Sequence, residues 1–372
     1  MSHIRPSGVF DTSYKQDMAL NRTRADKLIK YGGFLLLLIL PFLTEGGAFG
    51  IGGGFIKGYV IATLNSIAIF VIAVQGLNIL VGYTGQMSLG HAAFMAVGAY
   101  SAAALAKQAG LPFWVGLPLA GLITAFVGLL FGLPSLRVKG FYLAMATLAA
   151  QFIIPWILEN PLHDLTNAPY PLQGIPAPNI GPLIFNTENE FFFIAIPMSV
   201  FMMLAARNII RTRTGRAFIS VRDNDLAAEL LGINTFVYKL QAFFISSFFA
   251  GIAGALLAYN KNAISIESFR FDTSIELLAM LIIGGAGYSL GPLFGVTFVK
   301  FLSNFVIPTL GPIFNVFLAS TLPFIDSLNI SPSLQPIIFG GALLIFLLLE
   351  PRGLAYRWEI LKISWKIRPY SY

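Results

Sequence analysis

The chain has 372 residues, of which hydrophobic types make up 56% and charged types 11%, with a mean hydropathy of +0.76. A soluble chain carries about a quarter charged residues, so this composition excludes an ordinary soluble protein, and 34 Phe exclude a disordered one. The absence of Cys excludes a disulfide framework, a thiolate metal site and a Cys nucleophile, and the net charge of +7 is gathered in clusters between apolar runs, where it reports topology.

A basic tail, 1–27, carries Arg5, Lys15, Arg22, Arg24 and Lys27. It precedes an apolar run near 28–44, in which residues 34–40 alone contribute about −3 kcal/mol toward insertion. A cleaved signal peptide is the rival reading, but roughly thirty mostly polar residues come first, too many for its n-region. The run is expected to be a retained helix. Further runs long enough to cross about 30 Å of hydrocarbon lie near 56–81, 85–106, 113–133, 140–158, 191–209, 240–259, 274–300, 301–325 and 333–349. The expected fold is therefore all-α: a polytopic transmembrane helical bundle of about ten helices (8–10) over 28–350. Gly284, Gly285, Gly287, Gly291 and Pro292, then Pro308, Pro312 and Pro323, make the last three runs the least regular.

The second and third runs are separated by Gly82-Tyr83-Thr84-Gly85-Gln86-Met87-Ser88-Leu89-Gly90-His91, which reads as a broken helix restarting. Gly284-Gly285-Ala286-Gly287-Tyr288-Ser289-Leu290-Gly291 echoes it: Gly, Gly, then Ser-Leu-Gly and an apolar run. Paired interruptions of this kind point to the central pathway of a transporter, where a restarting helix presents free N–H groups and a positive dipole end to an anionic group. On this reading Thr84, Gly85, Gln86, Ser88, Gly90, His91, Gly287 and Ser289 line the pathway. The competing reading is close helix packing at the glycines, with His91 in a satisfied packing or capping role. Three His in all, with no two at ligand spacing, suggest no metal site.

The connection 159–190 has Glu159, Asp164, Glu188 and Glu190, no Lys or Arg, and many Pro; it is expected on the outer side, as a docking surface or as a rigid connector. The tail, the Arg137 and Lys139 turn, the loop 207–239 and the basic tail 351–372 are expected inside. Ten crossings put both termini in the cytoplasm. Glu276 is the one acid inside a run, read as interfacial, and scarce buried charge argues against an ion-coupled carrier.

In the loop 207–239, residues 224–231 read as a two-turn helix with Asp223 as N-cap, Asp225 in the first turn and Gly232 as stop. Leu226, Ala227, Leu230 and Leu231 form an apolar arc beside an acidic stripe of Asp225 and Glu229. So short a helix is expected to dock on something.

Three stretches together resemble one family: 85–100 (Gly-Gln-Met-Ser-Leu-Gly-His-Ala-Ala-Phe-Met-Ala-Val-Gly-Ala-Tyr), the loop from Gly215 (Gly-Arg-Ala-Phe-Ile-Ser-Val-Arg-Asp-Asn-Asp-Leu-Ala-Ala-Glu-Leu-Leu-Gly-Ile-Asn) and 346–354 (Phe-Leu-Leu-Leu-Glu-Pro-Arg-Gly-Leu). They look like the LivM-type permease of branched-chain amino acid ABC importers, over about residues 60–355. One segment departs: 165–175 stands where members often carry Thr-Gly-Gly. The resemblance implies that the loop carries a coupling helix seated in an ATPase subunit, with Arg222, Asp223, Asn224, Asp225, Glu229 and Gly232 as its contacts. It further implies a LivH-like second permease, two LivG/LivF-like ATPases, an external solute-binding protein and a bacterial inner-membrane location. No Gly-x-x-x-x-Gly-Lys-[Ser/Thr] loop is present, so ATP and Mg are expected on the ATPase partners, and no cofactor is expected in this chain. It is not expected to be an enzyme. Urea, amides or small carboxylates are alternative solutes to branched-chain and other amino acids, and a secondary carrier or channel is the alternative from another class.

Overall fold

The computed structural model describes residues 39–44, 57–135, 141–168, 170–180, 183–306 and 352–367, with scattered positions between 308 and 350. The N-terminal tail, most of the expected spans at 28–44, 301–325 and 333–349, and the Arg137 and Lys139 turn lie outside the described residues. Among the described residues the first element is a 3-10 turn, Leu40–Leu43. Helix α1, Gly58–Leu77, runs on as a π-turn, Asn78–Tyr83. After a non-helical stretch come α2, His91–Lys107, α3, Phe113–Ser135, and α4, Phe141–Glu159. The connection that follows holds β1, Leu172–Gln173, β2, Asn179–Ile180, and β3, Leu183–Ile184. Then come α5, Glu188–Arg211, α6, Arg213–Asp223, α7, Asp225–Leu230, α8, Thr235–Lys261, and β4, Ala263–Ile264. The last are α9, Phe271–Gly284, α10, Gly291–Phe301, and α11, Leu354–Ile367.

The apolar runs became helices where their length and composition demanded it. Gly58–Tyr83, Phe113–Leu133, Glu188–Arg211 and Thr235–Lys261 are each long and apolar enough to cross a membrane, and Leu143–Glu159 and Gly291–Val306 are shorter apolar helices. The start of α5 has a signal legible in the sequence: Thr187 accepts from the Glu190 N–H at 3.3 Å while the Glu190 carboxylate accepts from the Thr187 N–H at 3.1 Å, a reciprocal cap.

One run behaves differently from expectation. Instead of a single span over 274–300, α9 and α10 form a tight pair of short helices, with Gly285 at φ 106° and Gly287 at φ 83° in the turn between them. A Cβ at Gly295 would collide with the Met280 carbonyl, and one at Gly284 with the Gly291 carbonyl, so backbone lies on backbone. At about 1.5 Å per residue, α9 reaches about 21 Å, short of the hydrocarbon thickness.

Helix α8 is the centre of the bundle. In lipid, helices associate by packing rather than by expelling water, and small residues let backbones approach. Gly254 meets the Met95 carbonyl of α2, Gly98 of α2 meets Gly251, and on the α3 side Gly121 meets Phe248 and Ile252 while Gly128 meets Ser247. Gly76 of α1 lies against Phe249 and Ser246 of the same helix. At one end of the bundle, β1 pairs antiparallel with β4, Lys107 Nζ donates to the Gln173 carbonyl at 2.7 Å, and Trp114 Nε1 donates to the Asn179 carbonyl at 3.1 Å. The connection 159–190 is thereby tied across the tops of α2, α3 and α8. The other end carries Tyr83, α6 and α7.

Candidate functional site

The restart of α2 lies deep in the bundle. His91 Nε2 is 3.1 Å from the carbonyl of Ala73, which lies about 15 Å up the axis of α1 from Tyr83. A restarting helix exposes N–H groups that have no intrahelical partner. Here the Leu89 N–H donates to Thr147 Oγ1 at 2.9 Å, the Ala92 N–H to Ser274 Oγ at 2.9 Å, and the Ala93 N–H to Gln151 Oε1 at 3.1 Å. Ser274 Oγ also donates to Gln151 Oε1 at 2.7 Å, and Gln151 Nε2 donates to the Phe269 carbonyl at 2.7 Å. The donors expected to face an anionic group are thus taken by side chains of α4 and α9. Sequence reasoning missed Thr147, Gln151 and Ser274; their only signal was a lone polar residue in or at the edge of an apolar run.

Between Tyr83 and His91 the chain climbs inward from the α6 end. Thr84 Oγ1 donates to the Ile79 carbonyl at 2.8 Å, and Gln86 Nε2 to the Lys239 carbonyl at 3.2 Å. Gly85 is at φ 71° and exposed, Met87 is exposed, and Gly90 packs on the Thr147 carbonyl. Ser88 is buried, and its hydroxyl finds no partner among the described residues.

The two echoing interruptions meet. Asn78 Oδ1 accepts from the Gly287 N–H at 2.8 Å while Asn78 Nδ2 donates to the Tyr288 carbonyl at 3.0 Å. A Cβ at Gly82 would collide with the Gly287 amide, so glycine is required at this approach. Arg222, at the end of α6, donates from Nη1 to the Gly82 carbonyl at 2.8 Å and turns its Nε and Nη2 to Asp223 Oδ1, both at 3.0 Å. Gly353 and Arg352 pack on Gly285 from the C-terminal side, and Tyr288 faces Tyr356 of α11. Ser289 is half-buried beside this junction.

The loop helix forms where expected but its roles are rearranged. Asn224, not Asp223, is the cap: Asn224 Oδ1 accepts from the Ala227 N–H at 3.0 Å, while Asp223 closes α6. Gly232, at φ 84°, ends it, with the Ile233 N–H reaching the Ala228 carbonyl at 3.0 Å. The acidic stripe is tied to the start of α8, with Asp225 half-buried and Glu229 exposed. Thr235 Oγ1 donates to Glu229 Oε1 at 2.6 Å, and Lys239 Nζ is 3.5 Å from Asp225 Oδ2. The apolar arc, on a helix expected to dock on something, faces away from the bundle: Leu226 is 61% exposed, Leu230 89% and Leu231 81%, while Ala228 is buried.

Glu276 is not isolated. Lys300 Nζ of α10 is 2.9 Å from Glu276 Oε1 of α9, with side-chain exposures of 13% and 28%, and the ammonium also sits 3.7 Å over the Phe70 ring of α1. At the end of the bundle that carries the connection 159–190, a cavity of about 300 Å³ is lined by Pro112, Phe113, Pro176, Asn179 and Tyr259.

With this geometry in hand, residues 59–347 match the family described as branched-chain amino acid transport system / permease component. The high-affinity branched-chain amino acid transport system permease protein LivM of Salmonella typhimurium is 34% identical over 287 residues, which covers 70% of this chain and 64% of that protein. LivM of Escherichia coli is 34% identical over 288 residues, 71% of this chain and 65% of that protein. A probable LivM of Methanocaldococcus jannaschii is 26% identical over 242 residues, 63% of this chain and 66% of that protein. The matched region spans less than two thirds of either bacterial relative's own length. No solved structure matches the chain.

Proposed function

The chain belongs to the branched-chain amino acid transport system permease family, and from that premise we propose that it is the membrane subunit of an ATP-driven importer moving branched-chain or related amino acids. The observation that carries this reading is the outward apolar face of α7. Leu226, Leu230 and Leu231 stand clear of the bundle on a helix pinned from behind by Thr235 and Lys239. Fully burying a Leu is worth about 1.5–3 kcal/mol, so such a face on a rigid mount favours a protein partner over water. The partner is a cytoplasmic ATPase subunit, which places α6, α7 and the basic end of the bundle inside the cell and the connection 159–190 outside. ATP and Mg are held by two such subunits, and a LivH-like permease completes the membrane part with an external solute-binding protein above it.

In this assembly Leu226, Leu230 and Leu231 seat the helix in the ATPase, with Asn224 and Gly232 defining its ends. Asp225 and Glu229 act from behind, by holding the helix to α8. Transport is alternating access, in which the ATPases bind the loop with different energies in their two states and so shift the bundle between conformations. Thr84, Gly85, Gln86, Ser88, Gly90 and His91 form one wall of the pathway with Gly287 and Ser289 at its inner end, because non-helical backbone at membrane depth is tolerated where it borders protein or a water-filled cavity.

The test is ATPase activity of the complex co-purified with this chain in nanodiscs, with binding protein loaded with leucine, glutamine, urea or benzoate. Stimulation by loaded leucine is the expected result. Stimulation by another solute alone would move the assignment to that solute. Solute movement by this chain alone down an ion gradient, with no ATPase bound, would replace the importer by a secondary carrier.

A further inference from the structure

We infer that Arg222 is a positioning residue that joins the loop helices to both backbone breaks, so that α6, the α1–α2 break and the α9–α10 turn move as one body. The inference rests on the importer reading above. Sequence resemblance had placed Arg222 among the ATPase contacts; in the fold its guanidinium also reaches into the bundle, to the Gly82 carbonyl. Two of its N–H groups are held by Asp223 Oδ1 at 3.0 Å, which aims the third at the Gly82 carbonyl, 2.8 Å away. Gly82 lies in the last turn of its helix, where carbonyls lack intrahelical partners, and the guanidinium supplies the missing donor. The same side chain packs against Gly287 and Gly85, one from each break.

The breaks are fastened to each other independently of Arg222. Asn78 makes a two-point bond to the backbone at Gly287 and Tyr288, and Gly82 touches the Gly287 amide with no room for a side chain. Sliding one break past the other would cost both amide bonds and the contact. A displacement of α7 therefore reaches α6 and, through Arg222, both interruptions together, whereas among the described residues α8 bonds only the first of them, at Gln86 and the Lys239 carbonyl. Lys cannot substitute, because a single ammonium has no fork to hold Asp223 and Gly82 at once.

The absence of Cys makes a direct test available. Met87→Cys places one thiol at an exposed point of the first break. In nanodiscs holding the complex with its ATPase subunits, maleimide reacts with that thiol, and the rate is compared between nucleotide-free and vanadate-trapped states. With Arg222 present the rate is expected to change at least about fivefold, and with Arg222→Gln by less than about twofold, the scale of a coupling energy between sites. Arg222→Lys keeps the charge and supplies the same reading should Arg222→Gln be lost from the membrane; less than half of the response is expected. A full response in either variant overturns the proposal, as does the lack of any response with Arg222 intact while ATP is turned over. Failure of an ATPase subunit to join the complex overturns the importer reading together with this one, and is told apart by the missing ATPase activity.

Discussion

Gln151 holds the start of α2 with one amide group. Its oxygen accepts from the Ala93 N–H and the Ser274 hydroxyl, and its nitrogen donates to Phe269. Replacing it by Leu leaves buried polar groups without partners, each worth about 1–3 kcal/mol. Gln151→Leu is therefore expected to lower stability by about 3 kcal/mol or more, read as the thermal midpoint in detergent. Lys300 and Glu276 follow the logic of a buried ion pair. Lys300→Met leaves a half-buried carboxylate unpaired and is expected to cost about 3 kcal/mol, while the double change to Met and Gln costs less than the single one. A double-mutant cycle on the same thermal readout checks the sign. Neither pair was legible in the sequence. Polar residues inside apolar runs announce that partners exist, but Gln151 and Ser274, or Glu276 and Lys300, are matched only by how α2, α4, α9 and α10 pack.

Helix boundaries were legible to within a few residues where a long apolar run met charge or Gly, as at 113–133, read from the run and found as α3 over Phe113–Ser135. Periodicity also found α7, because a cap, three apolar side chains and Gly232 are local signals. It could not tell which side of α7 faces the bundle. An acidic stripe looks free in isolation, yet Thr235 and Lys239, at the start of the next helix, tether it to α8. The same limit applies to 274–300: its hydropathy supports a span, and only the positive φ of Gly285 and Gly287 folds it into a pair. Two predictions separate the faces of α7. Leu226→Ser with Leu230→Ser is expected to weaken ATPase-subunit association about a hundredfold, from about 3 kcal/mol of lost apolar burial, with unchanged insertion. Asp225→Ala with Glu229→Ala is expected to leave association measurable but reduce solute stimulation of ATP hydrolysis, because the helix is no longer pinned to α8. Co-purification and stimulated ATPase rates read the two effects separately; equal loss of association in both variants would mean the acids touch the ATPase directly.

At the scale of the whole molecule, all three stretches that carry the family likeness reach one place. The first begins at Gly85 beside Arg222, the second contains Arg222, and the third ends at Arg352, Gly353 and Leu354, the first two on Gly285. Their separation along the chain hid this, since no local pattern relates Gly82 to Gly287 beyond a short echo. The opposite end has a fastening of its own. The Glu188 carboxylate at the start of α5 accepts from Asn65 Nδ2 of α1 at 2.9 Å and Asn260 Nδ2 of α8 at 2.8 Å, and lies 3.3 Å from Lys261 Nζ. Three helices are thus held at one end by a carboxylate and, at the other, α1 is held to the loop by a guanidinium. On the alternating-access reading proposed above, one fastening releases while the other stays closed, so loosening the carboxylate alone is expected to have a directional effect. Glu188→Ala is expected to speed hydrogen exchange in the first turns of α1, residues 58–65, by about tenfold, since local opening there loses charge-assisted bonds. Residues 74–83, held through Asn78 and Arg222, keep their protection. Uniform acceleration along α1 would mean that the helix opens as a single unit, and the two ends would then not be independent gates.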